Sequence, residues 1–253
     1  IVDWFLDGKI GWKFTEPEPN NGFLTMRELY LQSNPEYGGN ITVPVLYDKK
    51  SKRIVNNESS EIIRQLNTEF KQFSSNPALA DYDYYPENLR AEIDAINEWV
   101  YPNINNGVYR CGFATSQGAY IEAFGGLFQH LDKVEEILGK SRYLTGDHFT
   151  EADIRLFTTL IRFDKVYYVH FKCNGRRIID YPNIHNYMLE IFPLPLIHPT
   201  VLFDHIVHHY YESHKNINPY GIVPGGPFWD PNQETSDRDQ KFGENSLRKA
   251  LGL

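Results

Sequence analysis

Long apolar runs are missing from this 253-residue sequence. No stretch approaches the roughly 20 residues that a helical membrane span needs, so none is expected. Cysteine is scarce as well. Cys111 and Cys173 are the only two, too few for a disulfide framework, and a reducing intracellular compartment is the expectation, with cytoplasm, plastid and mitochondrion all open. Basic charge is short relative to acidic: 25 Lys and Arg against 33 Asp and Glu leave a formal net charge of −8. No basic stripe interleaved with aromatics appears, which argues against nucleic acid as a partner. Internal repeats and low-complexity tracts are also lacking. What is present is 41% hydrophobic and 15% aromatic residues, enough for one sizeable core or two smaller ones.

A break near Ser74–Pro86, with Ser-Ser-Asn-Pro and then Asp-Tyr-Asp-Tyr-Tyr-Pro, reads as a linker. Before it lie short strands and one helix; after it nearly everything is helical. The expected division is an α/β domain at 1–75, an all-α domain at 76–217 and an extended, polar C-terminal tail at 218–253. In the helical part, Ile93, Ile96 and Val100 repeat at helical spacing, and Phe124, Leu127, Leu131, Val134 and Leu138 share one face. Thr150 caps the next helix, apolar over most of its surface and expected at the centre of the domain, with Asp153 as its local cap.

The pattern carrying most chemistry is near the start. Thr42-Val43-Pro44-Val45-Leu46 and Ile54-Val55 flank a Lys/Ser turn, which predicts a β-hairpin. Behind it, Glu58-Ser59-Ser60 opens a helix with Ile62, Ile63 and Leu66 at a 3.6-residue period. Such a helix start offers unpaired N–H groups and partial positive charge to a ligand carboxylate. The Glu58 carboxylate suits the ammonium of the same zwitterionic ligand. Pro44, lacking an N–H, marks an edge, a bulge or a cis turn. In the cis form, Val43 would present its N–H and C=O to an extended peptide.

Six segments occur in an order that resembles the Xi-class glutathione transferases, or glutathionyl-hydroquinone reductases. They are Gly11-Trp12-Lys13-Phe14, Thr42–Leu46, Asn56–Glu61, Asn105–Tyr109, Thr150–Leu156 and Phe171–Asn174. The likeness runs from about Trp4 to Pro227. It implies a thioredoxin-like N-terminal domain followed by an all-helical glutathione transferase C-terminal domain, a homodimer or subunit of a larger complex, glutathione as co-substrate, an aromatic quinol-type ligand and no metal. By the same resemblance, Trp12, Val43, Glu58 and Ser59 match the glutathione site, while Tyr109 and Tyr167 match tyrosines of the aromatic acceptor pocket. A tyrosine joins an apolar face to a hydroxyl, which suits a phenol.

Two departures matter. Ile1–Phe5 reads as a strand with no room for a preceding element, and as the second strand of a thioredoxin-like domain it would have no neighbour. The first strand and helix are therefore expected upstream or on a separate chain. The family's Cys-Pro-Trp motif, where a helix start can lower a thiol pKa, is not found here, so the nucleophile is expected before residue 1 and this chain alone is expected to be inactive. Where relatives carry Arg before Thr-Val-Pro-Val, Asn40 stands. Each residue also has a plainer role available. Trp12, Tyr109 and Tyr167 can be packing aromatics, His170 a satisfied core histidine, and Cys111 and Cys173 buried fillers. His205, His208, His209 and His214 invite a metal reading, but no acidic or thiolate ligand completes a set. Two functions stay in play: reduction of glutathionyl-hydroquinones, and a non-catalytic binding or scaffold subunit of the same fold.

Overall fold

The first hairpin closes on Asp7. Its carboxylate accepts the N–H groups of Lys9 and Ile10 at 2.8 and 2.9 Å, and Gly11, at φ +83°, turns the chain back in the left-handed region that only glycine enters freely. Strands β1 (Val2–Asp7) and β2 (Gly11–Phe14) pair antiparallel across this turn. The computed structural model describes residues 2–74, 76–226 and 229–252. Helix α1 (Met26–Ser33) follows, then β3 (Leu46–Asp48), β4 (Arg53–Asn56) and α2 (Ser59–Thr68). The rest of the chain is helical: α3 (Pro77–Ala80), α4 (Arg90–Val100), α5 (Gly107–Gly112), α6 (Gln117–Leu138), α7 (Glu151–Arg162), α8 (Tyr168–His170), α9 (Pro182–Ile191), α10 (Phe203–Ser213), α11 (Arg238–Phe242) and α12 (Ser246–Ala250).

Two compact units result: Ile1–Gln72 with Asp204–Val223, and Phe73–Phe203 with Pro224–Leu253. In the first, Thr25 and Glu28 cap α1 reciprocally, Glu28 accepting the Thr25 N–H at 2.9 Å. Met26, Leu29 and Tyr30, spaced three and four apart, form the buried face of α1. Val2, Trp12, Phe14, Val45, Tyr47 and Ile54 pack against it. The hairpin expected around the Lys/Ser turn is β3–β4, paired antiparallel. Its first strand starts at Leu46, so Pro44 lies ahead of it, preceded by a cis bond from Val43.

Two expectations need correcting here. The first strand does have neighbours, with β2 on one side. On the other, His205 Nε2 donates to Val2 O at 3.2 Å, His209 Nδ1 to Trp4 O at 2.7 Å, and Ser213 Oγ accepts the Leu6 N–H at 2.9 Å. Four residues of helix advance about 6 Å and two of strand about 6.6 Å, so one face of α10 keeps step with alternate residues of β1. Residues 204–223 thus group with the first unit, where the sequence reading placed 204–217 in the helical domain and 218–223 in the tail.

The second correction is the tail. Residues 229–252 are folded, with Arg238, Asn245 and Leu247 buried. Arg238 donates to Glu190 Oε2 at 3.1 Å and to the carbonyls of Ser141 and Arg142 at 2.8 and 2.6 Å. Asn245 donates to Glu190 and to the Tyr143 hydroxyl, both at 2.8 Å. Arg142 pairs with Glu190 from the other side. One buried carboxylate between two guanidiniums, each saturated by further acceptors, makes a polar stretch part of the interior. Composition signalled an exposed segment because these partners lie 48 to 102 residues away in the chain.

Helix α7, the one expected at the centre, buries Ala152, Leu156, Phe157, Leu160 and Ile161. Leu127, Leu131, Val134 and Leu138 of α6 are all fully buried. Asp153 exceeds a local cap: besides the Thr150 N–H at 2.9 Å it accepts the Leu144 N–H at 3.0 Å and the Tyr187 hydroxyl at 2.9 Å.

Truncating Arg238 to Ala leaves Glu190 with an unpaired face and should cost about 3–5 kcal/mol of stability in urea unfolding; a loss below about 0.5 kcal/mol would remove the tail from the core. Burial pushes the Asp153 carboxyl up to about 6, against its hydrogen bonds. The folded state then holds this proton more tightly than the unfolded chain. Its stabilising contribution is full below about 4 and lost as pH rises through about 6. The stability difference between wild type and Asp153→Asn should therefore shift over that window, and a flat difference from pH 4 to 7 would contradict it.

Candidate functional site

Helix α2 begins without a side-chain cap. Glu58 occupies the cap position in extended backbone, and its side chain makes no capping bond. Its own N–H donates to Asn56 Oδ1 at 2.8 Å, while its carbonyl accepts from Glu61 and Ile62 at 3.0 and 2.9 Å. Among the described residues, the N–H groups of Ser59 and Ser60 have no acceptor, and Glu58, Ser59 and Ser60 are all exposed. Donors left open at a helix start are an anion cradle. Of the expected apolar stripe, Ile62 is buried, while Leu66 is half exposed.

Thr42 and Val43 approach this helix start through Tyr30. The Tyr30 hydroxyl, buried on α1, donates to Thr42 O at 2.9 Å and accepts from Asn57 Nδ2 at 3.2 Å. Asn57 also reaches Thr42 Oγ1 at 3.3 Å. One phenol therefore ties the segment before the cis bond to the residue preceding Glu58. Val43 itself is exposed, and among the described residues neither its N–H nor its C=O is hydrogen-bonded. Trp12 is part of the α1 core and stacks on His209, centroids 5.2 Å apart at 25°. Asn40 is exposed, and its carbonyl accepts the Tyr37 hydroxyl at 2.9 Å, with no cation in its place. Tyr30 escaped the motif reading. The spacing of Met26, Leu29 and Tyr30 marks it as core, and nothing in that spacing reveals what its hydroxyl holds.

In the helical unit, Tyr109 and Tyr167 come together. Their rings lie 6.1 Å apart, and both pack on Phe171, at 5.3 and 5.4 Å. Phe113 stacks beside Tyr109, 6.4 Å away at 17°. Tyr167 is 2% exposed and Tyr109 36%, so the cluster shows Tyr109 and Phe113 to solvent and keeps Tyr167 beneath. Two π-helical turns shape it, Tyr101–Asn105 ahead of α5 and Phe163–Tyr167 after α7. Each inserts a residue into the helical phase, a feature common at functional sites and invisible to a 3.6-residue pattern. At Gly112 a Cβ would fall 2.2 Å from the Phe171 ring, so only glycine allows α5 this close. His170 is buried and stacks on Phe171 at 5.2 Å.

The histidines of α10 spend their nitrogens locally. Besides the two bonds to β1, His208 Nδ1 meets Glu212 at 2.8 Å. No group of three or more His, Cys, Asp or Glu suited to a metal occurs among the described residues. No helix among them is long and apolar enough to cross a membrane.

These features have counterparts among known proteins. Residues 117–190 match the glutathione S-transferase C-terminal domain, and with the hairpin–helix unit before it this is a glutathione transferase fold. The chain is 50% identical over 241 residues to glutathionyl-hydroquinone reductase YqjG of Escherichia coli, covering 92% of this chain and 71% of that one. The glutathione-bound structure of YqjG superposes with a TM-score of 0.90 at 47% identity, over 96% of this chain and 79% of the other. The Xi glutathione transferase of Phanerochaete chrysosporium gives 0.88 at 46% identity, over 94% and 82%. The chain belongs to the glutathionyl-hydroquinone reductases, the Xi class of glutathione transferases.

Replacing Tyr30 by Phe leaves the Thr42 carbonyl and the Asn57 amide each short of a partner. The expected cost is about 1–2 kcal/mol in denaturant unfolding, with faster amide exchange at Asn57. An unchanged midpoint and exchange rate would show that the hydroxyl does not hold this loop.

Proposed function

We propose that this protein serves glutathione-dependent reduction of glutathionyl-hydroquinones to hydroquinones. The single observation that carries the reading is the open start of α2. Two unpaired N–H groups and a free carboxylate within three residues suit the α-carboxylate and ammonium of a γ-glutamyl head. Val43, with unpaired backbone beside the cis bond, suits the peptide groups further along glutathione. Trp12, Val43, Glu58 and Ser59 are assigned to this co-substrate. Asn40 supplies no second cation, so the helix start takes most of the carboxylate's charge.

Tyr109 and Tyr167 are assigned to the quinol. The exposed Tyr109 offers its ring and hydroxyl to a phenolic ligand, and Tyr167 supports it through Phe171. In the reaction, a thiolate attacks the glutathionyl sulfur, the bond from sulfur to the aromatic carbon breaks, and that carbon takes a proton as hydroquinone leaves. A second glutathione thiol then attacks the mixed disulfide and departs as glutathione disulfide, regenerating the thiolate. Neither Cys111 nor Cys173 suits the attacking role. Both are buried, and neither follows a strand and opens a helix. The functional assembly on this reading is a homodimer or a subunit of a larger complex.

The test compares this 253-residue chain with a version preceded by a thioredoxin-type strand and a helix opening with Cys-Pro-Trp. Both should bind glutathione; only the extended version should convert glutathionyl-hydroquinone and glutathione to equal amounts of hydroquinone and glutathione disulfide by chromatography. Glu58→Gln should weaken glutathione binding roughly 10- to 150-fold, the value of one charge-assisted hydrogen bond. Binding without turnover in the extended version would favour a scaffold role. No binding in either would end the assignment.

A further inference from the structure

The histidine cluster of α10 finds its counterpart in the first hairpin, whose strands carry one tryptophan each, Trp4 on β1 and Trp12 on β2. Trp4 meets His205 edge-on at 6.3 Å and His208 at 5.6 Å, and its indole N–H donates to Glu212 Oε2 at 2.9 Å. His209 serves the other strand. Its ring stacks on the Trp12 indole, with centroids 5.2 Å apart and planes 25° from parallel. The imidazole is itself anchored: a carbonyl only accepts, so the 2.7 Å contact with Trp4 O places a proton on Nδ1. Ser213, one helical turn further on, accepts the N–H of Leu6 at 2.9 Å, and Leu6 is the register partner of Trp12. One helix face thus holds both the indole and the strand position opposite it.

The rest of the Trp12 ring is shared between protein and solvent. It packs against the Met26, Leu29 and Tyr30 cluster of α1 and stays only half-buried. Tyr30 of that cluster is the residue whose hydroxyl holds Thr42 and Asn57, so the indole, the segment before the cis bond and the approach to α2 lean on one support. Given the assignment of Trp12 to glutathione, on which this rests, we propose that His209 is a positioning residue of the glutathione site, fixing the plane of the Trp12 indole and acting through that ring rather than on the ligand. An aromatic pair has a preferred mutual geometry, and a wall already set in its plane leaves less ordering to oppose binding. An aliphatic residue at 209 could fill the volume, but it would offer neither the flat face nor the donor to Trp4 O. The spacing of His205, His208 and His209, which invited a metal, is the spacing that sets rings against both strands of the hairpin.

The test is a calorimetric titration with reduced glutathione, run as a double-mutant cycle on the whole chain. Trp12→Leu gives the loss when the wall is removed. His209→Gln keeps a donor for Trp4 O but has no ring. It should weaken binding roughly 2- to 12-fold, the value of one aromatic pair, with a urea transition recording that the variant is folded. His209→Phe, which returns a flat ring without the donor, should recover most of the lost affinity. In the Trp12→Leu background, His209→Gln should cost nothing further, because the ring it acts through is gone. Wild-type affinity in His209→Gln would overturn the proposal, as would a Phe variant no better than Gln, or an equal second loss in the Trp12→Leu background. Failure of the underlying assignment looks different: the wild type does not bind glutathione, or Trp12→Leu binds it as the wild type does. Either result takes Trp12 out of the site and His209 with it.

Discussion

The helical half of the chain hangs on one buried carboxylate. Asp153 accepts the N–H of its own cap residue, the N–H of Leu144 and the hydroxyl of Tyr187. It thereby fixes the start of α7, the turn before it and the middle of α9 with one side chain. Three residues beyond Tyr187 on α9, Glu190 takes over with Arg142 and Arg238. Each carboxylate is affordable in the interior only because several donors converge on it. This polar spine holds α7 rigid, and the π turn that carries Tyr167 continues directly from α7.

A comparable economy governs the other unit. Three elements meet at the Tyr30 hydroxyl: α1, the Thr42 segment and the residue that leads into α2. The helix start that follows is left without a side-chain cap, and among the described residues the Glu58 carboxylate has no partner. Where a stability-optimised helix would place serine or aspartate and satisfy its own first turn, this one leaves donors for something outside the chain. Tyr30 supplies rigidity behind the open groups, so a ligand meets them already positioned, with less ordering left to oppose binding.

Much of this was legible from residues alone. The hairpin, the start of α2, the buried stripe of α6 and the Thr150 cap follow from local periodicity and capping chemistry, and the six motifs pointed to the family. Where reading failed, the deciding partners were distant. The polar tail became core because Glu190 and the 138–142 carbonyls wait for Arg238. The first strand gained a neighbour because His205, His209 and Ser213 match its repeat, and this also gave the histidine cluster a structural task. Tyr30 showed its burial in the sequence and concealed its hydrogen bonds. The π turns that set Tyr109 and Tyr167 break the very periodicity that finds helices.

The central claim is that the start of α2 and Val43 receive glutathione. The most direct measurement is a two-dimensional amide NMR titration of the protein with glutathione. The account predicts saturable shifts largest at Val43, Ser59 and Ser60, with Asn57 following and the amides of α11 and α12 unmoved. Shifts centred elsewhere, or none at millimolar glutathione, would contradict it.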